Sequence, residues 1–294
     1  MRTVAARLLA LCALALLAAC GGEAPAPPAQ GGPALWQVKR GDMDGWLLGT
    51  IHVLPRNVEW RTDAIDQAMA AADRLVLEAA DIQDVPRTLA IFEHMGRSPD
   101  LPPLDARVPE EDRPALDQLV RSGGTSTQML SGYESWAAAM LLSAATQQTL
   151  GVSQEDGVER VLIAAFRKAG KPIAGLETVE RQFSAFDTLP EAAQRRLLVQ
   201  TVHEARDMKG LYDRILKAWL AGDMAAIARE DLNGEQPDPL VEEAVLVARN
   251  RDWAKAVDTL KGRPFIAVGT GHLTGRDNLI TLLQDRGYTV TRVQ

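Results

Sequence analysis

Two stretches of this chain share one frame, and their placement constrains the fold more than any other feature. Residues 49–55 read GTIHVLP and residues 269–275 read GTGHLTG. Each follows an apolar run, Trp46-Leu47-Leu48 before the first and Phe265-Ile266-Ala267-Val268 before the second. A short apolar run closed by glycine reads as a buried strand. Two of the chain's 4 histidines, His52 and His272, thus follow strands at opposite ends of the sequence.

Other strand signals keep to the same pattern. Residues 35–39, a turn over 40–45 and residues 46–51 predict a β-hairpin. Residues 74–78 (RLVLE), 172–176 (PIAGL), 264–268 and 288–293 predict further strands. Helical spacing fills the rest, over 61–72, 110–121, 135–150, 158–169, 190–221, 224–230, 239–260 and 274–286. First and last segments must then meet in one sheet. The expected fold class is α/β (α+β-like): a central mixed sheet built from N- and C-terminal strands, with a large helical middle region.

The N-terminus carries a separate message. Arg2 and Arg7 precede an apolar run over 8–19 that is interrupted only by Cys12. That run is too short to span a bilayer and has the proportions of a secretory leader. It ends in Leu17-Ala18-Ala19-Cys20, which resembles a bacterial lipobox. We therefore expect a lipoprotein signal peptide over 1–19 and lipidation at Cys20, which anchors the chain to a membrane. No thiol would remain for a disulfide or a nucleophile. Gly21 resembles sorting patterns that favour the outer membrane, so the expected location is the periplasmic face, lipid-anchored. Residues 20–34, rich in Ala, Pro and Gly, read as a flexible linker before a domain over 35–294. Loss of two positive charges, Arg2 and Arg7, takes the net charge from −7 to −9. An acidic surface argues against nucleic acid as a partner.

Ligands in open α/β sheets gather beyond the carboxyl ends of strands. Four such ends carry an ionisable residue: His52, Glu78, Glu177 and His272. Two imidazoles with one or two carboxylates suit a divalent cation. Glycine would let the backbone leave the strand sharply and approach a ligand closely, while threonine would hold the turn. Taken singly, each residue has a plainer reading. A histidine after a strand is commonly a turn residue. Glu78 reads as the first exposed residue after a buried strand, and Glu177 as an acid favoured at a helix N-terminus. His94 and His203 read as structural. His203-Glu204 lacks the second histidine of a zincin helix, and no serine-hydrolase elbow is present.

The segments GTIHVLP, LVLEA, GVERVLIAAFRKAGKPIAGLET, the pair Arg249-Asn250 followed by Trp253, and FIAVGTGHLTG with LLQDRGYTVTRV resemble the TraB/GumN family, whose relatives include the Tiki proteases of animals. The resemblance covers nearly all of the chain from Leu35 onward. It implies a metal-dependent protease, with His52, His272 and Glu78 at the metal and Arg249 in support. On residue types alone, Arg249 in VARNRDW reads as a solvated helix face. In the implied mechanism Glu78 or Glu177 serves as general base, and Arg249 binds an oxyanion or a substrate carboxylate. The expected function is a lipid-anchored periplasmic metal-dependent hydrolase, a peptidase acting on a peptide or protein substrate. The donors suit zinc, manganese or cobalt alike. The alternative is a non-catalytic metal- or haem-binding lipoprotein, or an accessory protein of the same fold.

Overall fold

The computed structural model describes residues 31–230 and 238–294. The expected signal peptide, Cys20 and most of the linker lie outside the described residues. Among the described residues there are eight strands: β1 (Leu35–Arg40), β2 (Met43–Thr50), β3 (Leu54–Pro55), β4 (Arg74–Ala79), β5 (Val152–Ser153), β6 (Ile173–Glu177), β7 (Pro264–Gly269) and β8 (Thr289–Arg292). Six of them form one mixed sheet in the order β6-β4-β7-β2-β1-β8. The expected fold class is what the chain adopts, with terminal strands joined at the centre and helices filling the middle.

Four adjacent strands, β6, β4, β7 and β2, run parallel, with Leu48 opposite Ala267 and Leu77 opposite Ala267 on its other side. Parallel strands are covered on both faces and read as unbroken apolar runs. Strand β7 (PFIAVG) fits this rule, since all six of its residues are buried. Strand β1 is antiparallel to both β2 and β8. The hairpin turn is tighter than the sequence predicts. Gly41 takes a left-handed φ of 54°, so β2 already begins at Met43.

Two large apolar cores result among the described residues, beside a small cluster around Val53 and Tyr212. One lies against the sheet and includes Leu47, Leu75, Phe166, Phe265 and Ile266. The other lies within the helical region around Trp136, Phe92, Phe183 and Phe186. Phe92 meets Trp136 edge-on, with centroids 5.5 Å apart. Among the described residues, no helix is long and apolar enough to cross a membrane.

Several predicted helices differ in extent. The stretch 190–221 is two helices, Glu191–Glu204 and Met208–Leu220, broken by a 3₁₀ turn at Ala205–Asp207. At the break, Asp112 binds both His203 and Arg206 at 2.8 Å. His203 is therefore structural, as expected. The last helix starts only at Leu279, because Gly275 and Asp277 both have positive φ and Asn278 caps the new start. The stretch 239–260 ends as a helix at Val257 and holds a π-helical turn at Glu243–Val247, just before Arg249. His94 lies in the last turn of the helix Val85–Met95, which ends at Gly96 as the sequence around it (IFEHMGR) suggests, and Asp84 caps the start of that helix.

Candidate functional site

The parallel arrangement brings the carboxyl ends of β2, β7, β4 and β6 side by side. His52 follows β2, Glu78 lies near the end of β4, Glu177 ends β6, and His272 sits in the 3₁₀ turn Thr270–Leu273 after β7. Arg249 reaches the same edge from the helix Ala248–Val257. All five predicted side chains meet there.

The two shared threonines explain part of the repeated frame. Thr270 Oγ1 donates to the Thr50 carbonyl at 2.9 Å, which ties the two motifs together. Thr50 Oγ1 donates to Glu159 Oε1. Glu159 in turn accepts from His52 Nδ1 at 2.8 Å. So one threonine joins the turns and the other holds the carboxylate that orients His52. Gly49 and Gly269 do not need unusual φ, which corrects the expectation of a sharp glycine turn. Close approach is their use. A Cβ on Gly269 would stand 3.1 Å from Glu78 Oε1, 3.6 Å from His52 Nε2 and 3.8 Å from His272 Cδ2.

His272 is oriented just as firmly. Asn250 Nδ2 donates to the Asp277 carbonyl at 3.1 Å, which turns Asn250 Oδ1 toward the imidazole. Oδ1 can only accept, so at 2.7 Å it fixes the proton on His272 Nδ1. Nε2 is then the lone-pair nitrogen, and Arg249 Nη1 donates to it at 3.2 Å. Burial, followed by the Arg249 charge, lowers His272 to about 3, which agrees with a neutral ring. The 4.0 Å approach of Glu78 Oε1 to Nε2 is accordingly not an ion pair. Trp253 packs beneath, its ring centroid 4.2 Å from that of His272.

Arg249 is 0% exposed and Glu78 is 7% exposed. Arg249 is therefore core, not the solvated helix face that its neighbours imply, and Glu78 is not an exposed strand end. A buried charge needs a partner, and Arg249 has two. Its Nη2 donates to Glu78 Oε2 at 2.8 Å and to Glu177 Oε1 at 2.6 Å. Its Nη1 also donates to the Val245 carbonyl, in the π turn, at 3.0 Å. Glu78 further accepts from the Gly269 N–H at 2.7 Å and from Gln182 Nε2 at 3.1 Å.

The four ionisable groups around Arg249 are set apart by these contacts. Burial alone would raise Glu78, but Arg249, with a smaller contribution from His52, holds it down at about 2. Burial raises Glu177, and Arg249 offsets only part of that. Burial would lower His52, yet the Glu159 carboxylate more than reverses it and takes the ring up to about 9. Glu159 itself is held low by His52.

Sequence reasoning assigned no role to Glu159, Asn250 or Gln182. Glu159 reads as a first-turn acid of the helix Val158–Lys168. Asn250 was detectable, because Trp253, Ala254 and Val257 mark the buried face of its helix and Arg249 and Asn250 extend that face by one turn.

An ion would have to displace the Arg249 Nη1 donor from His272 Nε2 and a proton from His52, but both imidazoles carry their Nδ1 on a fixed acceptor. That is how metal-ligating histidines are held. Among the described residues, no three His, Cys, Asp or Glu side chains already stand as a preformed metal cage. The donor set, two imidazole nitrogens and an ionised carboxylate, nevertheless fits a divalent ion chemically. Gly269→Ala would put a methyl group against Glu78 and both imidazoles. We expect it to cost about 1 kcal/mol of stability yet weaken ion binding at least about tenfold. Thermal unfolding and calorimetric ion titration check the two effects, and unchanged ion affinity would place the site elsewhere.

The molecule is a mixed α/β protein in which the adjacent parallel strands β2 and β7 are each followed by one histidine of a paired cluster. The chain belongs to the TraB/PrgY/gumN family, whose model matches residues 34–292. It is similar to the uncharacterized protein YbaP of Escherichia coli (strain K12), 26% identical over 268 residues, which span 85% of this chain and 97% of the relative. YbaP of Shigella flexneri is 26% identical over 256 residues, 86% of this chain and 92% of its own. No solved structure matches the chain.

Proposed function

We propose that the chain is a metal-dependent hydrolase that cuts peptide bonds, held by a lipid on Cys20 at the periplasmic face of a bacterial membrane, the outer one favoured. The observation that carries the catalytic part is the anchoring of His52 and His272 by their Nδ1 atoms on fixed acceptors, at neighbouring strand ends beside Glu78. His52 Nε2, His272 Nε2 and Glu78 would hold a zinc, manganese or cobalt ion. When bound, such an ion supplies a Lewis acid and an acidified water.

The chain's own residues divide the remaining work. Glu78 stays ionised, as a ligand must. Glu177, raised by burial, suits the general base, whose affinity for a proton should lie closer to the working pH. Arg249 offers a planar cation between the two carboxylates and would take a developing oxyanion or a substrate carboxylate only in exchange for one of its present acceptors. The π turn before it fits this role, since such turns recur at functional positions.

The deciding experiment reloads the full chain separately with zinc, manganese and cobalt. Bound ion is counted, and cleavage of a peptide library is followed by mass spectrometry. We expect stoichiometric ion and ion-dependent cleavage with at least one metal. Failure to retain any of the three would defeat the reading. The anchor has its own test. Cys20→Ala should accumulate as an unlipidated precursor, visible as a mass shift; a lipid-modified Cys20→Ala product would remove the anchor from the proposal.

A further inference from the structure

A cavity of about 290 Å³ opens directly beside His52 and Glu78. Leu77, Ile82, Val85 and Ile163 supply its apolar lining, and the pair Glu155–Arg160 stands among the polar lining residues. Leu77 and Ile163 are buried, whereas Ile82 and Val85 are half-buried. The charged groups in the lining are already matched. Glu78 pairs with Arg249, Glu159 with His52, and Arg160 grips Glu155 through two nitrogens at 2.8 and 3.3 Å. No unmatched charge remains to receive a charged side chain, and a charged group forced into an apolar wall pays a large desolvation cost.

One lining group does lack a partner. Gln182 is 3% exposed and donates its Nε2 to Glu78, which fixes the amide orientation. Its Oε1 then has no hydrogen bond, although buried acceptors are normally satisfied. That oxygen is itself buried, so recognition in the cavity rests on its apolar lining and its matched charges.

We infer that this cavity is the pocket for an uncharged, apolar side chain of a peptide. This rests on the peptidase reading for the scissile bond, but not for binding. The volume suits a leucine- or phenylalanine-sized group with part of its backbone, and burying such a group is favourable in proportion to its area.

The test is calorimetric binding of three blocked dipeptide amides to the full chain: acetyl-Leu-Leu, acetyl-Asp-Asp and acetyl-Lys-Lys. We expect the leucine peptide to bind at least about tenfold more tightly than either charged one. Val85→Trp, which narrows the cavity from a half-buried position, should reduce leucine-peptide binding by at least about tenfold. Ile82→Ser, which puts a hydroxyl in the wall without adding bulk, should weaken it as well if the tryptophan variant does not fold. Equal binding of the three peptides, no binding of any, or unchanged binding in the folded variants would overturn the pocket. Selective binding of the leucine peptide without cleavage under any ion would keep the pocket and remove the peptidase. Cleavage with no preference among side chains would do the reverse.

Discussion

Arg249→Ala is expected to destabilise the protein by roughly 3–5 kcal/mol, the scale for removing one partner of a buried ion pair. The guanidinium is fully buried and is the shared cation of Glu78 and Glu177. Without it, two carboxylates at neighbouring strand ends lose their counter-charge, and Glu78 also loses what holds it ionised. Arg249→Lys should recover only part of the loss, since one ammonium cannot span two carboxylates, a carbonyl and an imidazole as the planar fork does. The combined variant Glu78→Gln/Glu177→Gln/Arg249→Met should be more stable than Arg249→Ala alone, because no charge is left stranded. Urea unfolding midpoints compare the series. A cost below about 1 kcal/mol for Arg249→Ala would mean that the three groups do not form a dry cluster.

Ion binding should respond in a graded way to the residues around the paired histidines. His52→Ala and His272→Ala should each abolish stoichiometric binding, because each removes a donor nitrogen outright. Asn250→Ala leaves both rings in place, yet His272 loses the acceptor that fixes its proton on Nδ1. Outer partners of this kind are worth about 10–100-fold in metal affinity. We expect a drop of that order for Asn250→Ala, with little change in unfolding temperature. Calorimetry with manganese, cobalt and zinc reads it. If Asn250→Ala bound ions like the parent while His272→Ala did not, Asn250 would be a packing residue only.

The strands and their order of use were legible because apolar runs ending in glycine leave few alternatives. Where His52, Glu78, Glu177 and His272 fall follows from that alone, once parallel strands align their carboxyl ends. Arg249 was less legible. Flanked by Arg251 and Asp252, its letter string resembles a solvated surface, and only the register of Trp253, Ala254 and Val257 shows that it turns inward. Glu159 was hidden for another reason. An acid in the first turn of a helix is favoured by the helix dipole whether or not it holds an imidazole, so its type and position cannot separate the two. Gln182 depends on how the helix Val179–Asp187 packs over β4, a contact between segments about a hundred residues apart. The splits at 205–207 and 243–247 carry no glycine or proline to announce them.

The position of β7 has a consequence for biosynthesis. It is the seventh strand to leave the ribosome, yet it lies between β4 and β2 and pairs with both. Until it arrives, β2 and β4 each keep an open hydrogen-bonding edge, and unpaired edges invite mispairing. The nascent chain must therefore wait, with its helical region already made, for a strand that closes the sheet from the inside. Such distant pairing is slow compared with local contacts. His272 arrives with the same segment, so a chain interrupted before residue 264 has neither a closed sheet nor a complete cluster. Assembly of the site thereby reports that the segment through His272 has been made.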